Sequence, residues 1–285
     1  MSNVKRASKR RILTGVGAAV TAGIAVGAFA LVGTATATAD ADRSAGGRQV
    51  KPTIVLEHGA FADASSWNGV IARRQADGYP VVAVANPLRG PHADATALRS
   101  VLDHVKGPKI LVGHSYGGSV ISEAAANDPE VEGLVYVAAF LPAPGESALE
   151  LTNKYPGSTL PDALDPVPVT NPDGSKGTDL YIQQDKFRDQ FAADVSNAKA
   201  ALAAAGQRPI AQSALEEKAT VAAWKTIPSW DIVTTQDLNI PAAAQRFMAK
   251  RAHARTTEVA ASHSVAVSHP GVVTRVIEDA ARAAQ

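Results

Sequence analysis

Gly113-His114-Ser115-Tyr116-Gly117 sets a serine between two glycines at the end of a short apolar run, Lys109-Ile110-Leu111-Val112. A serine hydroxyl is a weak nucleophile until a base takes its proton, and imidazole titrates near neutral pH. The imidazole in turn needs a carboxylate that fixes its tautomer and stabilises its cation. The sequence supplies both downstream, with Asp237 in Thr235-Gln236-Asp237 and His263 in Ser262-His263-Ser264. Each of the three follows a segment that reads as a strand, so all three reach one edge of a sheet, where such folds place ligands. The chemistry of such a set is attack on a carbonyl carbon.

Competing residues define the alternatives. Of seven histidines, His58 and His114 belong to glycine-containing loops and shape them. His92, His104 and His253 sit in polar or helical surroundings and read as solvated. His269 competes with His263 as the base, but it abuts Pro270 at a helix start, whereas the His263 loop directly follows a strand. Glu146 is the second candidate for the acid because it follows the preceding strand. Asp231 lies inside a strand and should point away from the site. Trp67, Trp224 and Trp230 read as core packing.

The elements that must position these groups alternate. Apolar, β-branched runs at 53–57, 81–85, 109–112, 134–139, 230–234 and 257–260 read as strands. Between most of them lie helical stretches, including one capped by Asp94 with Leu98, Val101, Leu102 and Val105 on its apolar face. Strict alternation with continuous apolar strands predicts an α/β fold, a mainly parallel sheet of about six strands with helices on both faces. The turn at Ser115 joins strand to helix. Glycines 113 and 117 remove Cβ atoms that would collide there, and the helix N-terminus offers free N–H groups where an oxyanion would form. Residues from about 142 to 227 break the rhythm and read as a mostly helical cap over the carboxyl edge of the sheet. Helices are expected at 185–193, 196–205 and 210–224, and a hairpin around Asn171-Pro172-Asp173-Gly174.

With His58-Gly59-Ala60, the Ser115 turn, Thr235-Gln236-Asp237 and Ser262-His263 in place, the chain from about residue 51 to 285 resembles an α/β-hydrolase. Within that superfamily it is similar to compact bacterial hydrolases related to plant methyl-ester esterases and hydroxynitrile lyases. The resemblance implies the chain order Ser115, Asp237, His263 for the triad. It also implies an oxyanion hole from the backbone N–H groups of Ala60 and Tyr116. Phe61, by its place beside that loop, is expected to line the pocket as a substrate contact. A small carboxylic ester or lactone is the implied substrate. Two other readings stay open, a lyase on the same triad and a catalytically silent binding protein. Hydroxynitrile lyases of this group carry a lysine directly after the histidine, and here that position is Ser264.

The first 39 residues read as an export signal. Lys5, Arg6, Lys9, Arg10 and Arg11 precede an Ala/Gly/Val-rich stretch and the small-residue site Ala37-Thr38-Ala39. Arg10-Arg11 suggests the twin-arginine route, although Lys9 and Thr14 depart from its pattern. A retained membrane anchor is the competing reading, against which the glycines, threonines and cleavage site argue. Residues 40–50 read as a polar linker, and the protein is expected to be secreted.

The whole chain carries 28 Lys+Arg and 27 Asp+Glu, and losing the signal's five basic residues leaves a net of −4. That charge favours solubility and opposes nucleic-acid binding. The absence of cysteine excludes disulfides, thiolate metal sites and a cysteine nucleophile. No phosphate-binding glycine motif follows a strand and no ligand-spaced His/carboxylate cluster appears, so neither cofactor nor metal is expected.

Overall fold

The computed structural model describes residues 50–171 and 173–284. The expected leader and, apart from Val50, the expected linker lie outside them. Among the described residues no helix is long and apolar enough to cross a membrane.

Six strands form one all-parallel sheet: β1 (Thr53–Glu57), β2 (Val81–Val84), β3 (Lys109–His114), β4 (Val131–Val137), β8 (Ser229–Thr234) and β9 (Arg255–Val259). Their order is β2-β1-β3-β4-β8-β9. The remaining strands, β5 (Leu164–Thr170), β6 (Lys176–Ile182) and β7 (Ile210–Ala211), make a separate antiparallel sheet in the order β5-β6-β7. β1 and β3 are buried along their whole length, which is why they are apolar without alternation.

Helices cover both faces. Alternate residues Ile54, Leu56, Ile110, Val112, Val135 and Ile232 pack with helices α1 (Asn68–Ala76) and α11 (Pro270–Ala283). The other parity, with Val55, Leu111, Leu134 and Tyr136, packs with α2 (Pro91–His104), α3 (Gly117–Ala124) and α9 (Ala242–Arg251). The cap shares this second core through Leu180, Ile182, Phe187 and Phe191, so it is an extension of the sheet's hydrophobic layer.

The cap carries α4 (Ala148–Thr152), α5 (Leu160–Ala163), α6 (Gln184–Phe191), α7 (Asn197–Gly206) and α8 (Gln212–Glu216) around its antiparallel sheet. A mostly helical cap is therefore only part of the outcome. The hairpin extends from Leu164 to Ile182, and the helix expected over 210–224 is short. Ile210 and Ala211 instead pair with Leu180 and Asp179, and α8 ends at Glu216. The cap's two ends meet at its base, where Gly145 N–H donates to the Ala219 carbonyl and Ala219 N–H to that of Glu146. Trp224 Nε1 also donates to the Pro142 carbonyl there, at 2.9 Å.

α2 also differs from expectation. It starts at Pro91 after Gly90, whose φ is 150°, so Asp94 lies one turn inside the helix. Its carboxylate still turns back to accept the N–H groups of Arg89 and Gly90. Val105 falls beyond the helix end.

Candidate active site

β3 delivers Ser115 at φ 54°, left-handed for a residue with a Cβ. Such a conformation costs on the order of 1 kcal/mol or more and persists only when its surroundings enforce it. Here they do. Ser115 N–H donates to the Val137 carbonyl at 3.2 Å, and the Ser115 carbonyl accepts from Gly118 and Phe140 at 3.0 and 3.1 Å. Space is enforced from the other side by Gly59, where a Cβ would lie 2.7 Å from the Ser115 Cβ. The same holds at Gly117, where a Cβ would lie 2.5 Å from the Glu57 carbonyl oxygen. The glycine at 117 therefore lets α3 approach the end of β1, a long-range reason as well as a turn-making one.

His263 follows β9 and is 1 % exposed. Asp237, in the loop after β8, accepts from its Nδ1 through Oδ2 at 2.6 Å. The other donors to Asp237 are numerous. Oδ2 also accepts from Thr234 Oγ1 and Gln245 Nε2, at 2.9 and 3.0 Å. Oδ1 accepts the N–H groups of Asn239 and Ile240, at 2.7 and 3.0 Å. Burial opposes the Asp237 charge, but the His263 ring and the N–H donors outweigh it and hold the pKa below its ordinary value. With Nδ1 protonated, Nε2 is the free base.

His114 braces the same ring from below. Its Nε2–H donates to the His263 carbonyl at 2.9 Å, and the two rings lie 4.8 Å apart. Burial, then the neighbouring His263, push the His114 pKa down to about 3, so the ring stays neutral at neutral pH.

Ser115 and His263 line one cleft. Among the described residues no hydrogen bond joins Ser115 Oγ to His263, a contact that unliganded serine sites often hold long and tighten on substrate binding. Ala60, Phe61 and Tyr116 line the cleft beside the serine, while Leu149, Leu160, Leu164 and Leu215 roof it from the cap. Phe61 N–H is occupied by the Arg208 carbonyl at 3.0 Å. Tyr116 is the N-cap of α3, so its N–H lies at the positive end of a helix. Its phenol points away and donates to Asp94 at 2.7 Å. Burial raises the pKa of Asp94 despite that bond.

The rejected candidates have other partners. Glu146, the second candidate for the acid, is half-buried and holds Arg251 with two contacts of 2.7 Å. Burial opposes its charge, yet Arg251 and the Ala143 N–H keep its pKa below the ordinary value. His269 sits 3.5 Å from Asp194 in the cap. Asp231 is buried within β8 and does not line the cleft. Trp67, Trp224 and Trp230 pack in the interior. Sequence reasoning missed Gln245. One turn into α9, its amide bonds Thr234, Asp237 and the Ile240 carbonyl, but nothing in a local pattern marks a glutamine in the first turn of a helix as a partner of the acid eight residues before it.

Similarity places this geometry among known proteins. The chain is 29% identical over 255 residues to Alpha/beta hydrolase nvfD of Aspergillus novofumigatus, covering 81% of this chain and 97% of that one. It is 28% identical over 256 residues to a pyrethroid hydrolase of Sphingobium wenxiniae, covering 81% and 88%. The structure superposes on polyneuridine aldehyde esterase with a TM-score of 0.71 at 20% identity, covering 80% of this chain and 98% of that one. The profile of the Alpha/beta hydrolase family matches residues 54–276. With the parallel sheet and the serine turn at its centre, this chain belongs to that family.

Proposed function

We propose that the protein is an exported serine hydrolase that cleaves a small, uncharged carboxylic ester or lactone. The observation that carries the reading is the buried 2.6 Å bond from His263 Nδ1 to Asp237, with His263 sharing its cleft with a serine on a strained turn. In this reading His263 Nε2 takes the Ser115 proton as Oγ bonds to the carbonyl carbon. The oxyanion receives the N–H groups of Ala60 and Tyr116. Collapse breaks the bond to the leaving oxygen, which takes the proton from Nε2, and leaves an acyl-Ser115. Water then repeats the steps and releases the acid.

Substrate charge follows from the lining. Apart from His263, the cleft presents apolar side chains, Thr152, Asn153, Asn239 and the serine. A charged substrate would lose its hydration there without gaining a counter-charge. Ser264, at the position lysine occupies in hydroxynitrile lyases, is buried and donates to the Phe191 carbonyl at 2.9 Å, so the reading is hydrolysis. The pyrethroid hydrolase among the relatives is in keeping with an apolar ester.

A fluorophosphonate probe tests the reading. It should label the protein at Ser115, and a panel of neutral esters should be turned over while carboxylate-bearing analogues are not. Absence of labelling in folded protein would sink it. Export through Arg10-Arg11 has its own test: replacing both with lysine should retain the chain in the cell, and unchanged secretion would exclude the twin-arginine route.

A further inference from the structure

The cap does more than roof the cleft. The two residues flanking His263 are both tied to the chain at and just beyond the C-terminal end of α6. Ser262 Oγ donates to Asp194 Oδ1 at 2.5 Å, and Ser262 N–H to Asp194 Oδ2 at 3.2 Å. Ser264 Oγ donates to the Phe191 carbonyl at 2.9 Å. The Phe191 ring stands 4.9 Å from that of His263 at a steep angle, and 6.2 Å from that of Phe61 beside the oxyanion loop. His263 is thus held by the acid at Nδ1, by His114 at its carbonyl, and by the cap on both sides of its backbone. Three hydrogen bonds to the residues flanking His263 come from residues 191–194, and one carboxylate, Asp194, accepts two of them. Its side chain is 21% exposed, and its other close neighbour is His269, the discarded base candidate.

We infer that Asp194 is a positioning residue: through Ser262 it fixes the place of the His263 imidazole, so the cap is a structural part of the catalytic base. This rests on the serine-hydrolase reading above. A helix end that anchors the base must move with it, and misplacement of the base by a fraction of an ångström lowers the rate without lowering affinity.

The test compares Asp194→Ala, Asp194→Asn, Ser262→Ala and the double variant Asp194→Ala/Ser262→Ala. Asp189→Ala is the control, since Asp189 is on α6 just before the Asp194 segment, well exposed and paired with Arg188. Three quantities are read: kcat and KM on one activated ester, the rate of fluorophosphonate labelling, and the downfield NMR signal of the His263 Nδ1 proton. Asp194→Ala should lower kcat and the labelling rate by roughly 10- to 100-fold with KM nearly unchanged. It should also broaden or shift the Nδ1 proton. Asp194→Asn should recover most of the rate, because its amide oxygen still accepts the Ser262 hydrogen. Ser262→Ala should lower the same rates, and the loss in the double variant should fall short of the product of the two single losses, because both singles remove the Ser262 Oγ–Asp194 bond. Normal labelling by folded Asp194→Ala, or losses that multiply in the double variant, would overturn the inference. Should Asp194→Ala fail to fold, Ser262→Ala decides by the same readings. Should wild type resist the probe, the hydrolase reading falls, and an Nδ1 proton unmoved by Asp194→Ala would still overturn the inference separately.

Discussion

At the scale of single residues, the site depends on which atom holds which proton. Ser115→Ala removes the proposed nucleophile, and kcat should fall by about a million-fold, as when the serine of a triad is deleted elsewhere. Asp237→Asn is the subtler test. Asp237 accepts five hydrogen bonds and donates none, so an amide in its place would point N–H at groups that are themselves donors. If the amide turns its oxygen to Asn239 and Ile240, its NH2 faces His263 Nδ1 and favours the tautomer with the proton on Nε2. That tautomer cannot accept from Ser115. The expected outcome is a fall in kcat of roughly ten-thousand-fold with substrate binding largely kept, the scale seen when a triad acid becomes its amide. Kinetics on an activated ester beside a melting curve check it, and near-normal turnover would displace Asp237 as the acid.

At the scale of elements, the cap is bound to the sheet layer by contacts that can be removed without touching the site. Glu146 joins the chain leaving β4 to Arg251 at the end of α9. Glu146→Gln should lower stability by about 1 kcal/mol, since both partners are partly solvated, and should leave kcat within about twofold. A melting curve with an ester assay checks this, and a crippled but stable variant would revive Glu146 as an acid. The same elements show what the sequence makes legible. The parallel strands are readable because burial on both faces leaves an uninterrupted apolar run, as in Thr53–Glu57. Ser115, Asp237 and His263 stand out because each follows such a run. The cap is less readable because its short strands take their partners from far away. Ile210 and Ala211 are strand only through Leu180 and Asp179, and an alanine-rich segment beside them carries helical propensity that tertiary pairing overrides. Asp194 escaped for the same reason, since its contact with Ser262 spans 68 residues, whereas Gln245 escaped because the fold of the short loop before α9, and no residue pattern, brings it to Asp237.

At the scale of the molecule, buried titratable groups pull stability in opposite directions with pH. His114 has its pKa lowered to about 3 chiefly by burial, and burial also lowers that of His58. Between the unfolded value near pH 6.5 and the native value, the unfolded chain binds the extra proton, so stability falls as pH falls, by about 1.4 kcal/mol per unit for one such group. Glu57 and Asp231 act the other way. Both are buried with neither carboxyl oxygen hydrogen-bonded among the described residues, and burial raises their pKa values well above the ordinary range. Above the unfolded carboxylate values near pH 4 the native state keeps protons that the unfolded state releases, so stability falls as pH rises until the native groups ionise. The two pairs therefore oppose each other between about pH 4.5 and 6.5, and above that range only the carboxyls remain. Glu57→Leu removes one of them. Glu57 is 0% exposed at the end of β1, where an apolar side chain suits the second core. Measured by urea unfolding, the variant should be stabilised relative to wild type, and the gain should be larger at pH 8 than at pH 5, because the proton that wild type must retain is harder to hold at the higher pH. An equal gain at both values would mean that Glu57 is ionised in the native state throughout, with a charge partner that burial alone does not provide.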